Sequence, residues 1–321
     1  METIALWHLN KQESQLQYEK LAPIANDEIL IKSLYSLVST GTERLVAKGQ
    51  VPFSLREKMQ VPYMGGTFQL PIKYGYSIVG EVLSKGSLQG QLVHLLHPHQ
   101  KELVVNKNAV HIIPKEVSPK RASLASNLET ALTAIWDSRV TAGDKVLVVG
   151  FGMIGGLVAQ LLSSFPAVEV SILEKNEYRL NIASEMGFKI YQGADENFDI
   201  SFHTTSTDSG LQKSIEAVGM EGKIIELSWY GQKITQVRLG ADFHYYRKQL
   251  ISSQVANIPS SKKARWDYMR RKSIVFELLK DPIFDNYITN EIDFEDSPLF
   301  FQQLRANDIN SEGLGWVIKY N

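Results

Sequence analysis

The residues that point most directly to chemistry are Gly150-Phe151-Gly152-Met153-Ile154-Gly155, a G-x-G-x-x-G spacing. An apolar run, Lys145-Val149, precedes it, helical periodicity continues from Gly156 to Leu162, and Glu174 ends the next apolar run, 19 residues after Gly155. That context reads as a nicotinamide dinucleotide site rather than an ordinary strand-to-helix turn with a solvated Glu174. Gly150 permits the tight turn, Gly152 lets a pyrophosphate approach the backbone, and Gly155 lets helix and strand pack closely. Met153 and Ile154 open the helix whose N-terminus faces the anion. Glu174 is placed to accept from both hydroxyls of an adenosine ribose and to repel a 2′-phosphate, which favours NAD. Lys175 and Arg179 lie just beyond and could neutralise such a phosphate, so NADP stays open. Ser206 and Ser228 each come after an apolar strand run and are expected at the nicotinamide end, because open parallel sheets bind ligands beyond strand C-termini. Trp229 and Tyr230 read equally well as packing residues.

A scaffold must hold these groups. Residues 1–116 read as short strands (Ile29-Leu34, Ser77-Leu83, Leu92-Leu96, Glu102-Val105) between Gly, Pro and Asn, with no long amphipathic helix. At Ser118-Pro119 a helix start appears, with helical spacing over Ala122-Trp136. Strand and helix patterns then alternate: strands Val168-Leu173, Phe198-Phe202, Lys223-Leu227 and Gln249-Ser253, helices Glu177-Met186 and Leu211-Val218. This predicts an α/β protein with a doubly wound parallel sheet over 117–282, and a tail, 283–321, that returns to the first domain.

Composition narrows the partners. The 34 basic and 35 acidic side chains nearly cancel, and 44% of residues are hydrophobic. The chain has no cysteine, which removes disulfides, thiolate zinc sites and cysteine nucleophiles. No apolar run approaches spanning length and no leader pattern opens the chain, so a cytoplasmic protein without a membrane partner is expected. The segment Lys262-Leu279, basic and aromatic, reads as one helix with Trp266, Met269 and Ile274 as a buried stripe and a solvated charged face, not a nucleic-acid site. His94, His97 and His99 form H-x-x-H-x-H, but an extended chain points His94 away from the other two, which argues against a metal site. His99 is kept as a substrate contact.

The motifs Val38-Ser39-Thr40-Gly41-Thr42-Glu43, Lys73-Tyr74-Gly75-Tyr76-Ser77-Ile78-Val79-Gly80 and Glu226-Leu227-Ser228-Trp229-Tyr230-Gly231 resemble the medium-chain dehydrogenase/reductase superfamily, in particular a branch related to bacteriochlorophyllide a dehydrogenase. The resemblance runs along nearly the whole chain. It implies a GroES-like β-rich domain, completed by the tail, beside a Rossmann domain, with the active site between them. It also implies a homodimer joined at Rossmann sheet edges, for which Lys233-Leu239 is the expected segment. The zinc-ligand positions of the alcohol dehydrogenases fall on Thr40, Tyr76 and Ser126, none a competent zinc ligand, so a zinc-free enzyme is expected. Tyr76 is then the candidate proton donor, its phenol needing a lowered pKa; Thr42 is the hydroxyl relay, and Glu43 and Glu129 are carboxylates that orient substrate or act as terminal base. The implied activity is hydride transfer between NAD(H) and an alcohol or carbonyl of a small molecule. A catalytically silent dinucleotide-binding protein and an NADPH-dependent quinone or enone reductase remain as alternatives.

Overall fold

A computed structural model describes residues 1–193, 197–309 and 312–321. The chain forms two compact units, one of 1–126 with 272–309 and 315–321, the other of 127–271 with 312–314.

In chain order the first unit opens with a hairpin, β1 (Glu2–His8) and β2 (Ser14–Lys20), then β3 (Glu28–Val38) and helix α1 (Thr40–Ala47). Strands β4 (Ile78–Val82), β5 (Leu92–Leu95), β6 (Glu102–Asn106) and β7 (His111–Ile112) complete its N-terminal part, with helix α2 (Pro119–Ala122) after them. The long β3 is the spine of this sheet. It pairs antiparallel with β4 along one edge, and with β6 over residues 28–32 on the other. Neither the hairpin nor α1 is evident from the sequence pattern. Ser118 does cap a helix, its hydroxyl accepting from the Arg121 N–H at 3.2 Å, with Pro119 in the first turn. That helix ends at Ala122, and a second, α3 (Ala125–Ser138), forms where one was expected.

The second unit alternates strand and helix: β8 (Lys145–Val149), α4 (Met153–Leu162), β9 (Glu169–Leu173), α5 (Glu177–Glu185), β10 (Lys189–Ile190), β11 (Phe198–His203), α6 (Asp208–Ala217), β12 (Val218–Glu226), α7 (Asp242–Tyr245) and β13 (Gln249–Ser252). All of its strand pairs are parallel, in the order β10-β9-β8-β11-β12-β13. Chain order reverses between β8 and β11, which makes that point the switch of a doubly wound sheet. Leu147, Val149, Phe198, Leu211, Ile215 and Ile224 form a core on this sheet.

Short helix α8 (Ser260–Lys263) and α9 (Tyr268–Leu278) replace the single basic helix expected over 262–279. Asp267 restarts the helix by accepting from the Arg270 N–H at 2.7 Å, and this break changes the phase of the turns after it. Met269 is therefore 62% exposed, while Arg271, Lys272, Val275 and Phe276 are buried, so neither the expected apolar stripe nor a wholly solvated charged face forms. Finally, β14 (Asn290–Asp293), α10 (Ser297–Ala306) and β15 (Trp316–Lys319) bring the tail to the first unit's sheet, where β15 pairs antiparallel with β3. Ile31, Ile78, Leu95, Phe301 and Ile318 lie in that unit's core.

The segment 233–239, where a dimer edge was expected, has no strand; the edge strands of this sheet are β10 and β13. No helix among the described residues is long and apolar enough to cross a membrane.

Candidate active site

The glycine turn joins β8 to α4, with Gly152 as N-cap and the first helical bond from Gly156 N–H to the Gly152 carbonyl at 2.8 Å. Each glycine has its own reason. Gly150 sits at φ +97°, and a Cβ there would lie 2.7 Å from both the Thr204 hydroxyl and the Thr205 methyl. A Cβ at Gly155 would overlap the Gly150 carbonyl oxygen. At Gly152 the nearest atom is Arg179 Nη1 at 3.6 Å, so the space in front of the helix N-terminus is open to an anion. Met153 is buried behind the turn and Ile154 half-buried beside it.

Glu174 lies just past β9 and is held by backbone donors: Phe151 N–H at 2.7 Å, Lys175 N–H at 2.7 Å and Asn176 N–H at 3.0 Å. A carboxylate so fixed at the rim of the turn can meet ribose hydroxyls and opposes a phosphate in the same place. Lys175 has an exposed side chain, whereas Arg179 is half-buried, its Nε donating to the Gly313 carbonyl at 3.2 Å. Burial lowers the Arg179 pKa, and the Glu174 charge opposes that shift. Beyond the switch point, Ser206 stands at φ +54° and its N–H donates to Ser228 Oγ at 3.0 Å, so the structure brings these two candidates together.

In the first unit, a polar cluster surrounds the start of α1. The Tyr76 phenol is hydrogen-bonded with the hydroxyls of Ser39 and Thr42. Burial, aided by the nearby Glu43 charge, pushes Tyr76 up to about 12 against those two bonds, so the chain's own residues do not supply the lowering that a proton donor calls for. Glu43 is fully buried; one oxygen accepts from Ser39 N–H at 2.8 Å and the other meets His99 Nε2 at 2.8 Å. The chain of contacts continues from His99 Nδ1 to Ser36 Oγ at 2.7 Å and on to the Tyr320 hydroxyl at 2.8 Å. Gly75, at φ +138°, makes room for this imidazole, since a Cβ would lie 3.1 Å from the ring. His99 is thus 0% exposed and contacts Glu43 and Ser36, not a surface open to substrate as expected.

The other histidines of the triplet go elsewhere: His94 meets Ser77 Oγ at 3.0 Å, and His97 bonds the Pro98 carbonyl at 2.8 Å and stacks on Tyr63. Glu129, expected near the reacting groups, is buried in an ion pair with Arg271 Nε at 3.2 Å, and Arg271 also donates to Thr133 and Val255. Of the positions that correspond to zinc ligands, Thr40 begins α1, Ser126 donates its hydroxyl to the Tyr76 carbonyl at 2.9 Å, and the Tyr76 phenol is engaged as described. This donor set does not fit zinc.

Two features escape the sequence. Ser39 completes the hydroxyl cluster, and a pair at the ends of β11 and β12, His203 and Glu226, lies with Nδ1 2.8 Å from Oε2. Ser39 sits within a motif already singled out; the His203–Glu226 contact arises only from the pairing of two strands.

No family model matches the chain. D-guloside 3-dehydrogenase of Shigella flexneri is 23% identical over 90% of this chain and 91% of that protein. The crystal structure of 2R,3R-butanediol dehydrogenase from Bacillus subtilis superposes with a TM-score of 0.79 at 18% identity, covering 99% of this chain and all of that one. A putative zinc-binding dehydrogenase from Sinorhizobium meliloti, solved bound to NADP, gives a TM-score of 0.77 at 15% identity over 99% of both chains. Together they support the medium-chain dehydrogenase/reductase superfamily. In sequence and fold the chain is alcohol dehydrogenase-like, with a GroES-like and a Rossmann part.

Proposed function

We propose that this chain is an NAD(H)-dependent oxidoreductase of the medium-chain type that interconverts a secondary alcohol and a carbonyl on a small polyol or sugar-like substrate, without catalytic zinc. The observation that carries the reading is the phosphate turn: two glycines packed where no Cβ fits, a third facing open space, and Glu174 fixed by three backbone donors. The name of the full-length relative supports the substrate class.

Gly152 and the α4 N-terminus would hold the pyrophosphate, Glu174 the adenosine ribose, and Ser206 and Ser228 the nicotinamide side. When bound, the dinucleotide supplies or accepts the hydride. The chain's own contribution is to the substrate oxygen. As a carbonyl is reduced its oxygen gains charge, and Tyr76, kept protonated by burial, donates to it. Ser39 and Thr42, bonded to the phenol, offset charge on Tyr76 as its proton leaves. Glu43 works against a lasting phenolate, so Tyr76 regains its proton after donating it, and the Thr42 hydroxyl bonded to the phenol is the route by which solvent would return it. Glu43 itself touches Ser39 and His99 and positions the cluster; Glu129 holds Arg271.

We propose a homodimer in which a second copy of the chain pairs along the open edge at β13, where Leu250 is an exposed large hydrophobic. The test of the function is absorbance at 340 nm with NADH or NADPH against a panel of keto-sugars and hydroxyketones, with and without chelator. Turnover with NADH that survives chelation supports the proposal. Turnover only after zinc is added overturns it.

A further inference from the structure

We propose that His203 and Glu226 are positioning residues that set the loops receiving the nicotinamide half of the dinucleotide. The inference rests on the dinucleotide reading above. The two residues are register partners at the C-terminal ends of adjacent parallel strands, with His203 Nδ1 2.9 and 2.8 Å from the two carboxylate oxygens. His203 is fully buried, and the Glu226 side chain is 13% exposed.

Each partner reaches a different loop. His203 Nε2 lies 2.7 Å from Thr205 Oγ1, which lies 2.8 Å from Thr207 Oγ1, the N-cap of α6. The Glu226 carboxylate accepts from Ser228 N–H at 2.8 Å and from the Tyr230 hydroxyl at 3.1 Å. Ser228 in turn accepts from Ser206 N–H, fixing that residue in its left-handed conformation. Gly210 allows the approach, because a Cβ there would overlap Thr205 Oγ1 and lie 2.9 Å from His203 Nε2. The pair therefore ties the loop after β11 to the loop after β12.

Location gives this network its role. Glu174 and the glycine turn belong to β8 and β9, on one side of the switch point; β11 and β12 lie on the other. In a doubly wound sheet the dinucleotide crosses that point, so one set of loops takes the adenosine half and the other the nicotinamide half. A buried pair that served only the sheet could be replaced by apolar residues at little cost. Here its hydrogen bonds go to the loops.

Isothermal titration with NADH and with ADP, on the wild type, His203→Ala and Glu226→Gln, separates the possibilities. The expected result is NADH binding weakened roughly 10- to 100-fold by His203→Ala, with ADP binding within about twofold of wild type. Glu226→Gln keeps an acceptor oxygen for the Ser228 N–H and turns its amide as a donor to the Tyr230 hydroxyl oxygen, and should lose no more than about threefold for NADH. Retained ADP binding also shows that the Rossmann unit is folded. Parallel loss of both ligands, or NADH binding unchanged in His203→Ala, overturns the proposal. A wild type that binds neither ligand overturns the dinucleotide reading itself.

Discussion

Alanine at Gly152 and alanine at Gly155 are the same chemical change three residues apart, and the geometry of the turn gives them opposite consequences. At Gly155 the new Cβ overlaps the Gly150 carbonyl oxygen, a backbone atom that cannot rotate away, and comes within 2.9 Å of Thr204 Oγ1. Overpacking of this kind costs about 1–3 kcal/mol, and a backbone obstacle puts it at the upper end. Alanine's better helix propensity returns about 1 kcal/mol, leaving a net loss of about 2 kcal/mol. For a unit of this size that lowers Tm by roughly 4–8 °C. At Gly152 the backbone is ordinary, φ −88°, and the nearest neighbour is Arg179 Nη1 at van der Waals distance, 3.6 Å. Loss of a glycine N-cap costs about 0.5–1 kcal/mol, so Gly152→Ala should melt near wild type. Its methyl nevertheless occupies the space a pyrophosphate needs, and NADH affinity should fall at least roughly 30-fold, about 2 kcal/mol. Differential scanning fluorimetry and NADH fluorescence titration on the two variants measure both quantities. If Gly152→Ala binds NADH like wild type, or melts with Gly155→Ala, the assignment of separate roles to these glycines is wrong.

Other perturbations probe the rest of the site. Tyr76→Phe should lower kcat for carbonyl reduction about 10²-fold or more while leaving NADH affinity unchanged, and unaltered turnover would remove Tyr76 from the mechanism. Because the phenol stays protonated up to about 12, the wild-type rate should show no inflection from Tyr76 in neutral or mildly alkaline buffer. Glu129→Gln leaves Arg271 buried without its counter-charge, a loss of about 3–5 kcal/mol, so any fall in activity should track a lowered Tm. A variant that melts normally yet does not turn over would restore Glu129 as a catalytic base. His97 is depressed to about 3, chiefly by burial, so its stabilising contribution is complete above the ordinary histidine value and is lost as pH falls from there toward 3. From an ordinary value of about 6.5, that is about 1.4 kcal/mol per pH unit, or about 2 kcal/mol at pH ~5. His97→Gln should flatten the acid side of a urea-unfolding series by that slope, and an unchanged slope would show that His97 does not titrate with unfolding.

What the sequence could show was local. The glycine turn, Glu174 and the strands that flank them sit within one βαβ stretch, where spacing alone determines neighbours. Helix α1 escaped because Thr40-Gly41-Thr42 are poor helix formers; the helix is held by Glu43 reaching back to the Ser39 N–H and by buried Val46 and Ala47. The phase of the basic helix was misread because the break capped by Asp267 interrupts its periodicity. Glu129 and Arg271 are 142 positions apart, and His99 and Glu43 are 56 apart, so their pairing could not be seen in spacing. The upward shift of Tyr76 has no signature in the sequence for the same reason, since burial and the Glu43 charge are tertiary properties.

Each unit places a histidine–glutamate pair beside hydroxyls that lie in or next to loops. Glu43 and His99 are both 0% exposed beside Ser39, Thr42 and Tyr76; His203 and Glu226 stand under Thr205 and Ser228. Burying such pairs gives little net stability, because desolvation offsets most of the attraction between them. Their hydrogen bonds, however, reach past the ends of β3, β11 and β12, to the Ser39 and Ser228 N–H groups and the Thr205 hydroxyl, where ladder bonds have stopped, and so hold the loop backbone that carries these side chains. Proton transfer and nicotinamide binding both depend on donors held within a fraction of an ångström. In the zinc-free reaction we propose, hydroxyls take the part of the metal, and the buried histidine–glutamate pairs hold the backbone that carries them.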